Sequence, residues 1–364
     1  MKFSVVVNMG RLDGSQGIKE IAAEALELVQ IADQGGFDAA WTAEHHTIEL
    51  TVSPNPFQLL AYWGAQTRRI RLGTGVVAAP YWNPIRLAGE AALCDILTGG
   101  RLELGLGRGA YQYEFDRMAG GMDQREGGRH LREIIPAVQA LWSGDYAHDG
   151  ELWQFPETAC VPRPLQKFPP MWVAARDENT FRFAVENGCN VMSTALRKPF
   201  GEVEDLQRKF NEATANLPAG KRPEHATMRL ACVYEDDAGR EAAVNGAINF
   251  GRNFENLFKG IGEVRHGYPE PVDFEIVANR DEYRPEALCE NMLFGTPEEI
   301  IAKIERYREA GVDHLLIGAT FFMPHKVARR SLELFCDKVL PHFRGEDAGH
   351  AQHEAAPVAV GSGA

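Results

Sequence analysis

FSVVVN at residues 3–8, followed by IKEIAAEALELVQIADQGG at residues 18–36, is the stretch on which the fold turns. The first run is rich in residues branched at Cβ, which favour a pleated, packed strand. In the second, Ile21, Ala25, Leu28, Val29 and Ala32 recur at helical spacing, and Gly35-Gly36 ends the helix. Outward from there the same strand-then-helix order repeats. Ala39 to Ala43 precedes Pro56 to Thr67, Ile70 to Ala78 precedes Pro84 to Leu97, and Leu102 to Gly107 precedes Asp123 to Trp142.

A loop-like stretch containing Pro156, Pro162, Pro164, Pro169 and Pro170 interrupts the pattern, which then resumes with strand Met171 to Ala175 and helix Asp177 to Asn187. Strand Asn190 to Thr194 leads to helix Gly201 to Ala213, and strand Thr227 to Tyr234 to a helix from Ala238. Thr296-Pro297-Glu298-Glu299 is a capping box with proline at the first helical position. Asp313 to Gly318 is an eighth strand, and Lys326 to Leu340 a closing helix. Eight such units predict an α/β fold, a closed (β/α)8 TIM barrel forming one domain over residues 1–344. Two insertions at the C-terminal face, 109–123 and roughly 253–291, exceed ordinary loop lengths and read as lids or binding loops.

The composition supports a well-packed chain: of 364 residues, 45% are apolar and 24% charged. A formal charge of −13 opposes attraction to nucleic acid or to an anionic membrane. Cysteines 94, 160, 189, 232, 289 and 336 lie far apart without metal-ligand spacing, so reduced thiols and no metal are expected. No basic leader or membrane-length apolar run follows the N-terminus, and the expected location is cytoplasmic. Residues 345–364 lack an apolar period and predict a disordered tail.

Function in a barrel collects where strands end. Here those ends carry Asn8, Glu44-His45-His46, Gly75-Val76, Arg108, Arg176-Asp177 and Ser193-Thr194. Adjacent histidines on a strand point to opposite faces, which argues against one shared ion and for one acid–base histidine beside a structural one. Both could equally satisfy polar groups at a strand end. Gly105-Leu106-Gly107-Arg108-Gly109-Ala110 formally matches a dinucleotide loop, but Tyr111 to Phe115 lacks a clear helical stripe and an arginine interrupts the glycines. In a barrel the same glycines would let the backbone approach a phosphate, with Arg108 bonding it. Arg176, Asp177 as an N-cap and Thr180 form a second candidate for that phosphate, and a surface ion pair is the plainer reading of either arginine.

Gly36-Phe37-Asp38, Trp41-x-x-Glu44-His45-His46, Gly73-Thr74-Gly75, Asn83-Pro84, the run from Gly99 to Gly109, Val173-Ala174-Ala175-Arg176 and Gly295-Thr296-Pro297-Glu298-Glu299 occur in this order. As a set they resemble the bacterial luciferase-like flavin monooxygenase family over most of the chain. The resemblance implies noncovalent reduced FMN, oxygen addition at flavin C4a to give a peroxyflavin, and transfer of oxygen to a small organic substrate. It implies a separate NAD(P)H:flavin reductase as partner and a homodimer or homotetramer. By the same resemblance His45 is the catalytic histidine with Glu44 beside it. The resemblance implies a non-proline cis peptide at Gly75-Val76 beneath the flavin and gives Arg108 and Thr180 to its phosphate; Ala175, Arg176 and Asp177 are expected beside them as cofactor-binding residues. Asn8, Trp41, Tyr111, Met192 and Phe321 are expected to wall a largely apolar substrate pocket. The sequence departs from the luciferase catalytic subunit at Gly107, where that subunit has a reactive cysteine, and at Arg176, where it has a glutamate, so light emission is not implied. Two alternatives share the barrel: an F420-dependent hydride-transfer oxidoreductase, and a flavin-binding barrel without catalysis.

Overall fold

The computed structural model describes residues 1–218 and 220–344; the expected tail at 345–364 lies outside them. Eight parallel strands, β1 (Lys2–Val6), β2 (Ala39–Thr42), β3 (Arg71–Thr74), β4 (Leu102–Gly107), β5 (Met171–Ala174), β6 (Asn190–Thr194), β7 (His225–Val233) and β8 (His314–Gly318), pair each with the next. The pairing of β8 with β1, with Leu316 opposite Ser4, closes the circle. All eight strands fall where the periodicity put them, and the fold is the (β/α)8 barrel. Helices at Ile18–Gly35, Pro56–Gln66, Pro84–Leu97, Gly127–Ser143, Glu178–Glu186, Gly201–Thr214, Asp237–Lys259, Pro297–Glu309 and His325–Leu334 surround it. Their starts are written locally. Asn55 and Asn83 accept the first free N–H groups ahead of a proline, and the capping box forms, with Glu299 accepting from the Thr296 N–H at 2.9 Å.

The main core lies between strands and helices and includes Phe3, Val5, Leu28, Trp63, Leu104 and Ile304. A separate apolar cluster fills the barrel itself: Val6, Ala39, Trp41, Trp172, Met192, Ala226 and Leu316, with Val76 packed on it. Trp41 and Trp172 meet edge to face at 5.3 Å. Trp41 fits because Gly73 is on the neighbouring strand, where a Cβ would fall 2.1 Å from its ring. The barrel is thereby floored with indole.

The insertions are more regular than the sequence suggested. Residues 109–123, expected as loop, contain a helix at Gln112–Met118, because Tyr111 and Phe115 bury one face of a single short turn pair rather than a long stripe. A hairpin, Tyr146–Asp149 with Gln154–Thr158, occupies the proline-bearing stretch. The helix from Asp237 runs on to Lys259, covering the start of the expected 253–291 loop. The remainder holds a ribbon (Val264–Arg265 with Tyr268–Pro269), helices Phe274–Ala278 and Pro285–Asn291, and a strand, Leu293–Gly295, that adds to β7. This segment has its own core of Ala243, Ala247, Tyr283, Leu288, Phe294 and Phe321. Ile48 and Leu50 from the β2 loop, Tyr111 from the β4 loop and Leu257 from the helix Asp237–Lys259 pack together over the strand ends. Among the described residues, no helix is long and apolar enough to cross a membrane, and no three His, Cys, Asp or Glu side chains are grouped to hold a metal ion.

Candidate active site

Glu44 follows β2, and its backbone N–H donates to the Val76 carbonyl at 3.0 Å. The Gly75–Val76 peptide bond is cis, as the resemblance implied. Gly107, next door on β4, has room for no side chain, since a Cβ there would lie 2.6 Å from Val76 Cγ2. The luciferase cysteine position is therefore closed by Val76 in this chain.

The two histidines separate cleanly. His46 Nε2 bonds Glu44 Oε1 at 2.6 Å, and Glu44 Oε2 accepts from the Ala78 N–H and the Trp82 indole, each at 2.8 Å. That buried carboxylate takes three hydrogen bonds and holds the β2 and β3 ends together, so Glu44 positions the site. His45 turns the other way. Its Nδ1 lies 3.1 Å from Glu114 Oε2, and its ring stacks on Tyr111 at 5.1 Å. Glu114 also accepts the His46 N–H at 2.6 Å. His45 Nε2 has no protein partner among the described residues and is left to donate or accept a proton. Glu114 was missed in the sequence; the available signal was an acidic residue in the first turn of a helix directly after β4. Tyr81 was missed as well. Its ring meets His46 edge-on, its buried hydroxyl has no partner, and burial together with the charges of Glu114 and Glu44 raises its pKa.

Of the phosphate candidates, Arg108 is exposed and forms no hydrogen bond or ion pair with any described residue. Leu106 pairs with Val173, so Arg108 and Arg176 leave neighbouring strand ends. Arg176 is already paired with Glu202 at 2.6 Å, which halves its use to an anion, although its buried Nε remains unpartnered. The Ala175 N–H is spent on the Met192 carbonyl, so this residue can offer a ligand only its surface. Asp177 caps the next helix. It accepts from the Thr180 N–H at 3.0 Å and hydroxyl at 2.7 Å, and although burial opposes them, these bonds hold its pKa below the usual carboxylate range.

The expected pocket wall is corrected at three places. Trp41 is fully buried in the barrel floor, and Phe321 is 1% exposed, stacked on Phe294 in the core of the insertion. Phe321's neighbour Phe322, in a left-handed conformation, turns instead into a cavity of about 380 Å³ lined also by Asn8, Leu50, Phe250, Thr320 and Met323. Met192 sits in the floor beside Trp172, whereas Tyr111 does reach the site through His45. Asn8 is shared between the cavity and the site, its Oδ1 accepting the Ala43 N–H at 3.0 Å. These directions depend on which way a side chain leaves a strand end, which a one-residue step reverses.

Comparison with known proteins places this geometry. The family model for luciferase-like monooxygenase matches residues 1–314. The oxygenase component of the flavin-dependent trigonelline monooxygenase of Acinetobacter baylyi is 43% identical over 344 residues, 94% of this chain and 96% of that one. The F420-dependent glucose-6-phosphate dehydrogenase of Nocardia farcinica is 25% identical over 335 residues, 88% of this chain and 94% of that one. The solved structure of the monooxygenase RslO1 from Streptomyces bottropensis matches with a TM-score of 0.80 and 27% identity, covering 94% of this chain and all of that one. With the family model spanning most of a barrel whose strand ends carry His45 on Glu114 and a free Arg108, the chain belongs to the luciferase-like monooxygenases and is an enzyme of that family.

Proposed function

We propose that this chain is the oxygenase component of a two-component flavin-dependent monooxygenase, which receives reduced FMN from a separate NAD(P)H:flavin reductase and oxygenates a small organic molecule with O2. The observation that carries the reading is the pairing of His45 with buried Glu114 beside the Gly75–Val76 bond, at the open end of an indole-floored barrel. The residues suit a planar, phosphate-bearing cofactor. Val76 gives an apolar surface at the strand ends, and Arg108 and Arg176 offer unspent donors at adjacent strand ends. Arg108 would bind the phosphate. Bound reduced flavin supplies the electrons that activate O2.

His45, oriented by Glu114 through Nδ1, presents Nε2 to deliver or remove a proton at the reacting centre. Tyr111, 5% exposed, covers the imidazole and helps exclude water. The relative named for trigonelline makes that compound the first substrate to test. Exposed apolar side chains on neighbouring helices, Tyr62, Leu93 and Leu97, support association into a homodimer or homotetramer.

The test is anaerobic titration with reduced FMN, then addition of ¹⁸O2 and trigonelline with mass analysis of the product. Tight binding and a labelled product are expected. Binding of F420 in place of reduced FMN, with hydride transfer and no label, would replace this reading by the alternative class, to which the glucose-6-phosphate dehydrogenase relative belongs.

A further inference from the structure

Arg197 follows β6, at the same end of the barrel as His45, and the functional reading gives it no role. Its side chain is 8% exposed, and its Nε is buried without a hydrogen-bond partner. The guanidinium lies 4.4 Å from the Tyr283 ring centre and 5.6 Å from that of Phe254. Phe254 in turn meets Tyr111 edge-on at 6.2 Å, and Tyr111 stacks on His45. Arg197 and His45 are thus joined by two aromatic rings over the strand ends.

The local charge does not balance. The one carboxylate paired with Arg197 among the described residues, Glu255, is 3.5 Å away and makes closer pairs, at 2.8 Å each, with Lys259 and Arg280. Behind the turn, Arg229 is 1% exposed and forms no ion pair among the described residues. It donates to the Leu196 carbonyl at 2.7 Å and to the Tyr307 hydroxyl at 2.9 Å, fixing the left-handed Leu196 from which Arg197 projects. Three cations, Arg197, Lys259 and Arg280, therefore meet at the one carboxylate of Glu255, with buried Arg229 behind them, in a chain whose formal charge is −13. A buried cation is costly unless an anion completes its hydrogen bonds. Planar guanidinium with rings beside it suits a planar carboxylate on an aromatic ring.

We infer that Arg197 is the anchor for the substrate's carboxylate, and that the substrate class is a small aromatic or heteroaromatic acid whose ring lies toward Phe254 and Tyr111. The inference rests on the monooxygenase reading for turnover but not for binding. It replaces the expectation of a largely apolar substrate, because a wholly apolar molecule would leave the Arg197 donor unpaired.

The experiment pairs each acid with its carboxamide: trigonelline, nicotinate and benzoate against 1-methylnicotinamide, nicotinamide and benzamide. The intact protein is titrated calorimetrically with all six, and turnover is followed with reduced FMN, a flavin reductase and O2. For at least one acid, binding roughly tenfold to a hundredfold tighter than its amide is expected, the usual weight of a charge-assisted hydrogen bond. Arg197→Gln should raise KM for that acid by a similar factor, leave kcat within about twofold, and leave the amide unaffected, while Arg197→Lys recovers part of the loss. Equal binding of acids and amides by the unaltered protein overturns the inference, whatever the variants do. So does an Arg197→Gln protein that binds the acid normally but loses reduced FMN, since the guanidinium would then serve the cofactor. Acid-selective binding without turnover of any compound would support the anchor and overturn the monooxygenase reading.

Discussion

Replacing Glu114 by glutamine tests whether His45 works as a charged partner of a buried carboxylate. Glu114 is 2% exposed and holds His45 Nδ1 at 3.1 Å and the His46 N–H at 2.6 Å. Attraction between a carboxylate and an imidazolium about 3 Å apart is about 5 kcal/mol at an effective dielectric near 20, which sets a ceiling. Glutamine keeps an acceptor oxygen and nearly the same shape, so the loss should be closer to that of one charge-assisted bond, about 1.5–3 kcal/mol. Turnover should therefore fall roughly tenfold to a hundredfold, with reduced-FMN affinity unchanged, in a stopped-flow and steady-state assay. A double-mutant cycle with His45→Ala separates positioning from general damage: once the imidazole is gone, Glu114→Gln should cost little more. Wild-type turnover in Glu114→Gln, or an equal loss in the His45→Ala background, would refute the reasoning.

Arg108→Ala should weaken reduced-FMN binding by about 1.5–3 kcal/mol, and Arg176→Ala by less because Glu202 already holds that side chain; equal effects in the titration would contradict the assignment. Gly73→Ala should lower unfolding stability by about 1–3 kcal/mol through overlap with Trp41, visible as a shifted urea midpoint, and an unmoved midpoint would disprove the close approach. Burial, aided by Arg222 and His314, pushes His225 from an ordinary 6.5 down to about 3. The unfolded chain then binds a proton that the native state refuses, so stability should fall as pH drops below 6.5 and continue falling toward 3. Glu224, held at about 2 by its hydrogen bond to His314, adds its own loss only below its ordinary 4.5. His130, whose pKa burial also lowers, shares the slope between pH 6.5 and 5, so urea unfolding of His225→Gln should show that slope reduced and not abolished.

The barrel was legible because its signal is local. Val5, Leu28 and Val29 repeat at strand and helix periods, and Asn83-Pro84 and Thr296-Pro297 mark helix starts within a few residues. The insertion at 253–291 was not legible, since its short helices and ribbon bury Tyr283 and Phe294 on partners far along the chain and leave no sustained period. His45 could be found by its neighbours in sequence, whereas Glu114 acquires its role only when the turn after β4 is folded over the end of β2. Arg176 reads as a phosphate ligand until Glu202 is brought beside it.

The sequence by itself determined the eight βα units, the strand ends at which chemistry collects, and the cluster Glu44-His45-His46, because each depends on interactions between residues near in the chain. Only the tertiary structure decided that His46 is held by Glu44 and His45 by Glu114, that Trp41 and Phe321 point into packed cores, and that Arg197 stands with too few carboxylates around it. Those outcomes depend on which face a side chain takes at a strand end and on what the other seven strands bring within a few ångströms of it, and neither is written in local spacing.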